Sequence, residues 1–378
     1  MKYYSIGEAS ATYDIPESTL RYYEKKGLLP FIERDEAGRR LFSERQLALL
    51  QIVICLKNTN MPISGIRQYM EWVVEGDASI ENRLDMLVKH KQKVADEIAL
   101  MNEHLLGIDD KIERYQKQLR GGKTMKLSGN TILITGGGSG IGLAMAERFV
   151  QSGNTVIVCG RRENVLEQAR EQVPGLITRV CDLEVESERL ALFDWVTANY
   201  QDVNVLVNNA GIQLRYNLLK ADARDRWQDY SKEIATNIEA PVHLSMLFAP
   251  YFAAKETAAI LNVTSGLAFT PFAIAPVYSA TKAALHSFTV SLRHQLSDTS
   301  VEVIEIAPPA VNTDLGGSGL HTHGEPLDAF TEGIFKGLAE GKQEIGYGSS
   351  AARLRMSRDE IDEYTEKMYQ ATKNSIES

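Results

Sequence analysis

The sequence predicts a multidomain chain: an all-α N-terminal part ending in a long dimerisation coiled coil, followed by an α/β part built on a doubly wound parallel sheet. Three observations predict it. The 378 residues exceed what one hydrophobic core ordinarily organises. From Ile80 to Leu119, apolar residues recur at alternating steps of four and three, which is the heptad seam of a long helix. Beyond Lys126, apolar runs of strand length alternate with stretches of helix length, the grammar of a parallel sheet covered on both faces.

Composition narrows the classes. With 44% hydrophobic and 24% charged residues, the chain has the balance of a folded globular protein. Cys55, Cys159 and Cys181 sit singly inside apolar runs, with no C-x-x-C pair or histidine cluster beside them. That argues against a disulfide framework or a cysteine-based metal site, and fits a reducing cytoplasm. The opening "MKYYSIGEAS" lacks the apolar region of a signal peptide, and no run approaches about 18 apolar residues, so neither export nor membrane insertion is expected. The net charge of −9 is uneven: residues 1–69 carry ten Lys and Arg against eight Asp and Glu, which leaves −11 for the rest. Any contact with DNA must therefore come from a locally basic surface near the N-terminus.

The elements of the first part follow in order. Ser5 caps a short helix whose Ile6 and Ala9 share a face, and "YDIPES" is a turn in which Pro16 suits the start of a second helix that Gly27 stops. Two short helices joined by a tight turn make a helix-turn-helix. On the second helix, Ser18, Thr19, Arg21, Tyr22 and Lys25 offer hydroxyls and cations to phosphates and base edges, while Leu20 and Tyr23 pack inward. "FIERDEAGRRLF" then reads as two extended runs around a glycine turn, a basic wing carrying Arg34, Arg39 and Arg40. The heptad seam, interrupted only by Lys91, cannot be buried by one helix alone and should pair with a copy of itself; packing against the second domain is the alternative.

"TLRYYEKKGLL" followed by "GRRLFSERQLALLQIVICLKNTNMPISGI" resembles the MerR family of bacterial transcription regulators across about the first 70 residues. The resemblance implies winged-helix binding to promoter DNA through Arg21, Tyr22 and Arg40, an antiparallel dimer through the long helix, and an indirect effect on RNA polymerase. Phe42 stands where the family commonly has Tyr, which removes a phosphate-binding hydroxyl. Metal-sensing members keep ligand cysteines in or after the dimer helix, and none occurs between Cys55 and Cys159, so metal sensing is not expected.

In the second part, "NTILITGGGSGIGLAMAERFVQSG" is a buried strand, a glycine turn and an amphipathic helix, and "NTVIVCGRR", "DVNVLVNNAG", "AAILNVTSG" and "VEVIEIAPP" are further strands. Gly136, Gly140 and Gly142 let the backbone pass close to a pyrophosphate met by a helix N-terminus. "YSATK" puts Tyr278 and Lys282 on one helix face, where an ammonium can lower a phenol whose ordinary pKa of about 10 makes it a poor acid–base group at neutrality. Ser265, in "VTSG" at a strand end, can hold a substrate carbonyl oxygen.

Residues 126–350 resemble the short-chain dehydrogenase/reductase family, a Rossmann-type fold, through "TGGGSGIG", "CDL", "NNAG", "TNIEA", "VTSG" and "YSATK". "APPAVNTDLGG" narrows the resemblance to bacterial oxidoreductases named after the D-alanyl-lipoteichoic acid operon. The resemblance implies Tyr278 as general acid/base, Lys282 as its modulator and ribose ligand, Ser265 as carbonyl holder and Asn237 as support of a relay water. It implies cofactor contacts from Gly136, Ser139, Gly140, Ile141 and Gly142, from Asp182 and Leu183 at the adenine, from the Asn208–Gly211 turn through Asn209, Ala210 and Gly211, and from Val311 and Thr313 at the carboxamide.

The second strand ends "CGRR", so Arg161 and Arg162 stand where an NAD site keeps an acidic residue; NADP(H) is the expected cofactor. Pro308-Pro309 replaces the family's Pro-Gly, "GGSGLHTHGEPLDAF" reads as a substrate lid, and His321 and His323, lacking a third ligand, read as solvent-facing loop residues. The tail from Ser357 reads as a packing or assembly helix.

Together these readings give a DNA-binding domain over 1–75, a dimerisation helix over 76–120, a linker over 121–125 with Met125 as the apparent start of a second module, and a reductase domain over 126–378. The expected protein is a cytoplasmic bacterial homodimer, with the reductase domain as the route to any higher oligomer. It joins a promoter-binding regulator to an NADP(H)-dependent oxidoreductase acting on a small carbonyl or alcohol. Two alternatives are a catalytically idle fold that only senses cofactor or metabolite, and a plain reductase whose helical part only dimerises.

Overall fold

The computed structural model describes residues 2–119, 125–217, 223–317 and 319–377, and its chain divides into two units, Met1–Gln116 and Lys117–Ser378. Linker residues Gly121 to Thr124 lie outside the described residues.

In the first unit, β1 (Tyr3–Ser5) leads into α1 (Ile6–Tyr13) and α2 (Glu17–Lys25); β2 (Glu33–Arg34) and β3 (Arg40–Ser43) form the hairpin; α3 (Glu44–Asn58), α4 (Ile63–Glu75) and α5 (Ile80–Leu119) follow. Ser5 caps α1 in a reciprocal box with Glu8, and Ser43 repeats the device with Gln46 at the start of α3. Gly27, at φ +74°, turns the chain out of α2. The sequence reading left out β1: Tyr3 to Ser5 pair antiparallel with Ser43 to Leu41, giving a small sheet in the order β1-β3-β2. Ala9, Leu20, Tyr23, Phe42, Leu50 and Ile66 form the core. Leu87 leaves the seam to join that core, and His90 Nε2 lies 2.8 Å from Thr59 Oγ1, so the first turns of α5 rest on this unit. Farther along the helix, which spans about 60 Å at 1.5 Å per residue, Ile98, Met101, Leu105, Ile108, Ile112 and Tyr115 are exposed.

The second unit is a seven-stranded parallel sheet in the order β10-β9-β8-β7-β4-β5-β6. Its elements are β4 (Thr131–Thr135), α6 (Gly140–Gln151), β5 (Thr155–Gly160), α7 (Glu163–Gln172), β6 (Ile177–Val180), α8 (Glu186–Asn199), β7 (Val203–Asn208), α9 (Ala223–Ile234), α10 (Ala240–Ala253), β8 (Ala258–Val263), α11 (Pro276–Gln295), β9 (Val301–Ala307), α12 (Leu327–Ala339), β10 (Glu344–Gly346), α13 (Ser349–Arg353) and α14 (Arg358–Glu377). Successive residues of β4 feed opposite faces: Ile132 and Ile134 pack with Met145, Phe149 and Ile334, while Leu133 packs with Leu206, Leu244 and Phe248. The strand order reverses between β4 and β7, which opens a crevice at their carboxyl ends. The short strands β6 and β10 carry too few apolar residues to announce themselves in sequence. Cys159 and Cys181 are both buried free thiols, and Cys181 Sγ donates to Glu188 O at 3.7 Å. Among the described residues no helix is long and apolar enough to cross a membrane.

Candidate active site and nucleic-acid surface

The crevice holds a cavity of about 1710 Å³, larger than the ~300–1,000 Å³ of an ordinary ligand pocket and roomy enough for a dinucleotide with a second molecule. Its near wall is the turn between β4 and α6. Gly136 sits at φ +64°, and a Cβ there would lie 2.8 Å from Ala210 Cα; one on Gly142 would lie 2.5 Å from Gly136 O. Only glycine lets these backbones approach so closely. Asn209 closes the turn by donating from Nδ2 to Thr135 O at 3.0 Å and Gly136 O at 3.3 Å. The Thr135 hydroxyl accepts the N–H groups of Asn209 and Ala210. Sequence reasoning gave Thr135 no role, although it opens the quoted glycine motif. Ser139 is the N-cap of α6 but makes no side-chain capping bond, so the helix N-terminus beside Gly140 and Ile141 faces the cavity with donors to offer.

Arg161, Arg162, Asp182 and Leu183 line the far end. Arg161 is held by Glu184 at 3.0 Å, whereas exposed Arg162 has no acidic partner among the described residues. Asp182 Oδ1 accepts the Glu184 N–H at 3.1 Å and so shapes its own turn. Val311 and Thr313 line the opposite wall, and Gly140 faces Thr313 across the turn.

At the inner end Tyr278 and Lys282 line the cavity, and Asn237 and Ser265 stand behind the lining, beside Thr236 and Thr264. The chain of α9 passes into a π-helical turn, Ala235–Glu239, that carries Asn237. Asn237 Oδ1 accepts the Ile212 N–H at 2.8 Å, and Nδ2 donates to Ile212 O and Thr281 Oγ1 at 2.9 and 3.1 Å. Ser265, two residues beyond β8, caps the turn Gly266–Ala268 and accepts the Leu267 N–H at 3.1 Å. Tyr278 and Lys282 are both buried on α11, and Lys282 Nζ donates to Val263 O at 2.8 Å. Burial pushes the Tyr278 phenol up to about 12, a hydrogen bond from Ser265 draws it down, and the charge of Glu233 raises it. Burial brings the Lys282 ammonium down to about 8, against an opposing pull from Glu233. The expectation of a lowered phenol is therefore reversed in the chain by itself, because desolvation outweighs the favourable contacts.

Other expectations change as well. Asn208, read as part of the cleft turn, points away from it: Nδ2 donates to Asn262 Oδ1 at 2.8 Å and Ser245 Oγ at 3.2 Å inside the core. His321 is buried, not solvent-facing, with Nε2 at 3.1 Å from Gln213 Oε1, while His323 is exposed. Among the described residues no three candidate ligands gather to hold a metal ion. The Pro308-Pro309 segment anchors its neighbour: Pro308 O accepts the Gly266 N–H at 2.8 Å. The C-terminal helix is more than a packing element, since Met368 and Thr372 of α14 line the cavity with Arg353.

On the first unit, α2 exposes Ser18, Arg21, Tyr22 and Lys25, with Thr19 half-buried. The arginines are already engaged: Arg21 with Glu17 at 2.6 Å, Arg39 with Asp35 at 2.7 Å, and Arg34 and Arg40 both with Glu24 at 2.9 and 2.6 Å. Glu24 thereby ties α2 to the hairpin. The exposed Arg21–Glu17 pair contributes about 0–1 kcal/mol, so a phosphate can displace its carboxylate, whereas the Arg40–Glu24 pair is partly buried. Phe42 is fully buried, so its ring fills the core.

Comparison with known proteins covers both units. Residues 4–72 match the MerR HTH family regulatory protein model, and residues 130–322 match the short chain dehydrogenase model. The uncharacterized oxidoreductase DltE of Bacillus subtilis (strain 168) is 50% identical over 226 residues, 58% of this chain and 89% of that protein. An NADP-dependent 3-hydroxy acid dehydrogenase, YdfG, of Salmonella typhi is 30% identical over 48% of this chain and 72% of its own length. A short chain dehydrogenase/reductase of Burkholderia phymatum, solved in complex with NAD, superposes at a TM-score of 0.56 with 22% identity, covering 64% of this chain and 97% of that one.

Proposed function

Because the chain belongs to the short-chain dehydrogenase family and carries a MerR helix-turn-helix domain ahead of that fold, we propose that it is a promoter-binding regulator that also interconverts a carbonyl and an alcohol with NADP(H). The observation that carries the reading is a single cavity running from the glycine turn, past Arg162, to Tyr278 and Lys282. A dinucleotide suits its donor set: the uncapped start of α6 for a pyrophosphate, an unpaired guanidinium for a 2′-phosphate, and no carboxylate at the end of β5 to receive a ribose 2′-hydroxyl. Bound there, the reduced nicotinamide supplies a hydride.

The chain's own groups supply the rest. Ser265 orients the carbonyl oxygen, and Tyr278 gives that oxygen a proton. In the reducing direction a phenol near 12 is already in the protonated form required. Lys282, near 8, is mainly an ammonium at neutral pH and steadies the phenolate that forms. Asn237 clamps the Ile212 backbone against α11, which fixes the cavity floor and supports the route by which protons arrive. On the first unit, Ser18, Thr19, Arg21, Tyr22, Lys25, Arg39 and Arg40 contact DNA, and the exposed stripe of α5 pairs two copies so that their recognition helices meet two half-sites.

The test is in vitro transcription from the protein's own promoter without cofactor, with NADP⁺ and with NADPH, using wild type and Tyr278→Phe, alongside NADPH oxidation against a panel of carbonyl compounds. Oxidation lost in Tyr278→Phe, together with transcript that depends on the protein, supports both halves. Transcript that follows cofactor redox state with no oxidation of any carbonyl makes the reductase fold a sensor alone. Oxidation with no effect on transcript removes the regulator.

A further inference from the structure

One cation in the same cavity has no part in the account above. Arg353 ends α13 and reaches the lining together with Leu267, Met368 and Thr372. Its place is fixed from the strand ends outward. Ser350, also on α13, is fully buried and donates from Oγ to Ala307 O at the end of β9. The next residue, Pro308, accepts the Gly266 N–H at 2.8 Å, so α13 and the segment after β8 hang from adjacent carbonyls. Arg353 lies directly against that segment: a Cβ on Gly266 would meet its Nη1 at 3.1 Å and its Cδ at 3.2 Å. Gly266 has no left-handed backbone to accommodate, so what its missing side chain provides is room for the guanidinium. Ser265, the residue that orients the carbonyl, is its immediate neighbour.

The guanidinium is held in place but not neutralised. Nη2 donates to Tyr364 Oη at 2.7 Å, and the cation lies over the Tyr364 ring, 4.8 Å from its centroid. Nε is buried without an acceptor. Nη1 makes no bond to the protein and is not among the buried polar atoms, which leaves it to the cavity. No acidic side chain pairs with Arg353 among the described residues. The other arginines lining the cavity beyond the β5 end differ, since Arg226 is engaged by Asp229 at 3.1 Å and Arg215 is exposed. A half-buried cation that has lost part of its water without gaining a counter-ion binds an anion more strongly than an exposed one does. One unpaired guanidinium matches one negative charge, that of a carboxylate; a phosphate ester carries about −1.5 to −2 at neutral pH. Consecutive Cα atoms lie about 3.8 Å apart, so an anion on Arg353 and a carbonyl at Ser265 belong to one small molecule, a few bonds apart.

We propose that the site reduces short oxo acids, with Arg353 as the specificity-determining residue that receives the substrate carboxylate. The proposal rests on the reductase reading of Ser265 and Tyr278. The reaction itself is unchanged. Hydride from the reduced nicotinamide adds to the carbonyl carbon, the Tyr278 proton adds to its oxygen, and the carboxylate leaves as it entered.

The experiment measures NADPH oxidation by the full-length protein with matched pairs, 3-oxobutanoate and 4-oxobutanoate against their methyl esters, in wild type, Arg353→Met, Arg353→Lys and Tyr364→Phe. Wild type should favour each acid in kcat/KM. Arg353→Met should lower the acid-to-ester ratio by about 10- to 100-fold, the range expected for a charge-assisted hydrogen bond, mainly through KM. Arg353→Lys keeps the charge without the fork and should recover part of the ratio. Tyr364→Phe keeps the guanidinium and should cost the acid less than Arg353→Met does. Fluorescence titration should give NADPH affinities within about twofold of one another in all four, since the 2′-phosphate lies at the other end of the cavity. A loss of NADPH affinity parallel to the loss of oxo acid turnover would move Arg353 to the cofactor and overturn the proposal. Wild type reducing an ester as fast as its acid, or Arg353→Met losing acid and ester equally, overturns it while the reductase reading stands. So does a higher kcat/KM for glycolaldehyde phosphate than for either acid. Reduction of none of these compounds, nor of any other carbonyl, overturns the reductase reading, and the substrate class with it.

Discussion

Replacing Arg162 by Ala should separate the two nicotinamide cofactors. Arg162 is exposed at the end of β5 with no acidic partner among the described residues, while its neighbour Arg161 is engaged by Glu184 at 3.0 Å. A hydrogen bond to a charged group contributes about 1.5–3 kcal/mol, and exposure places Arg162 at the low end of that range. About 1.5 kcal/mol corresponds to roughly tenfold in Kd. Arg161→Ala should therefore cost less, about threefold, because a phosphate must first displace Glu184. NADH lacks the 2′-phosphate, so its affinity should change less than about twofold in either variant. Fluorescence titration with NADPH and NADH, at low and high salt, measures all of these. Equal weakening of both cofactors would show that Arg162 shapes the loop instead of reading the phosphate; no change in either would refute the cofactor assignment.

Three further outcomes are expected. Arg21→Ala should lower promoter affinity almost uniformly across sequences and reduce the slope of log affinity against log salt by about 0.9, as for loss of one phosphate contact; an unchanged slope in salt-dependent binding would count against that contact. Met101→Asp, on the exposed stripe of α5, should shift the protein from dimer to monomer in light scattering without lowering NADPH affinity, and a dimer that survives would place the interface elsewhere. His286→Gln should bear on pH-dependent stability. The hydrogen bond to Glu305 at 2.8 Å raises His286 above its usual range, ahead of the opposing effect of burial. A raised folded-state pKa stabilises fully below the unfolded value of about 6.5, and the benefit is lost as pH rises through the folded value. The gap in thermal stability between wild type and variant should thus be widest on the acid side, and a gap that widens toward alkaline pH would contradict the pairing.

The architecture was legible because its signals are periodic or local. Ile132 to Ile134 read as a buried strand since both faces of β4 are covered, and Ser5 read as a helix cap since a capping bond spans only three residues; its reciprocal bond with Glu8 came from the structure. Strands β1, β6 and β10 escaped for the complementary reason. They are short or exposed, and they exist by pairing with a neighbour, β3, β5 or β9, that is fixed elsewhere in the chain.

The site divides along the same line. Gly136, Ser265, Tyr278 and Lys282 could be singled out as candidates because backbone geometry and helix spacing link them to a task over a few residues. Local spacing could not give the electrostatic balance. Tyr278 and Lys282 at i and i+4 predict a phenol drawn down by an ammonium, but burial acts on both groups, and the third charge comes from Glu233, 45 positions before Tyr278 on another helix. Thr135 and Asn208 make the same point in opposite directions. A threonine at a strand end and an asparagine in a cleft motif look like fold and site respectively. Their hydrogen bonds assign Thr135 to shaping the cofactor turn and Asn208 to the core, because what a polar side chain does is decided by the donors and acceptors left unsatisfied around it. A motif specifies which residues are present at a site; the protonation states on which acid–base chemistry depends are set by burial and by charges remote in sequence.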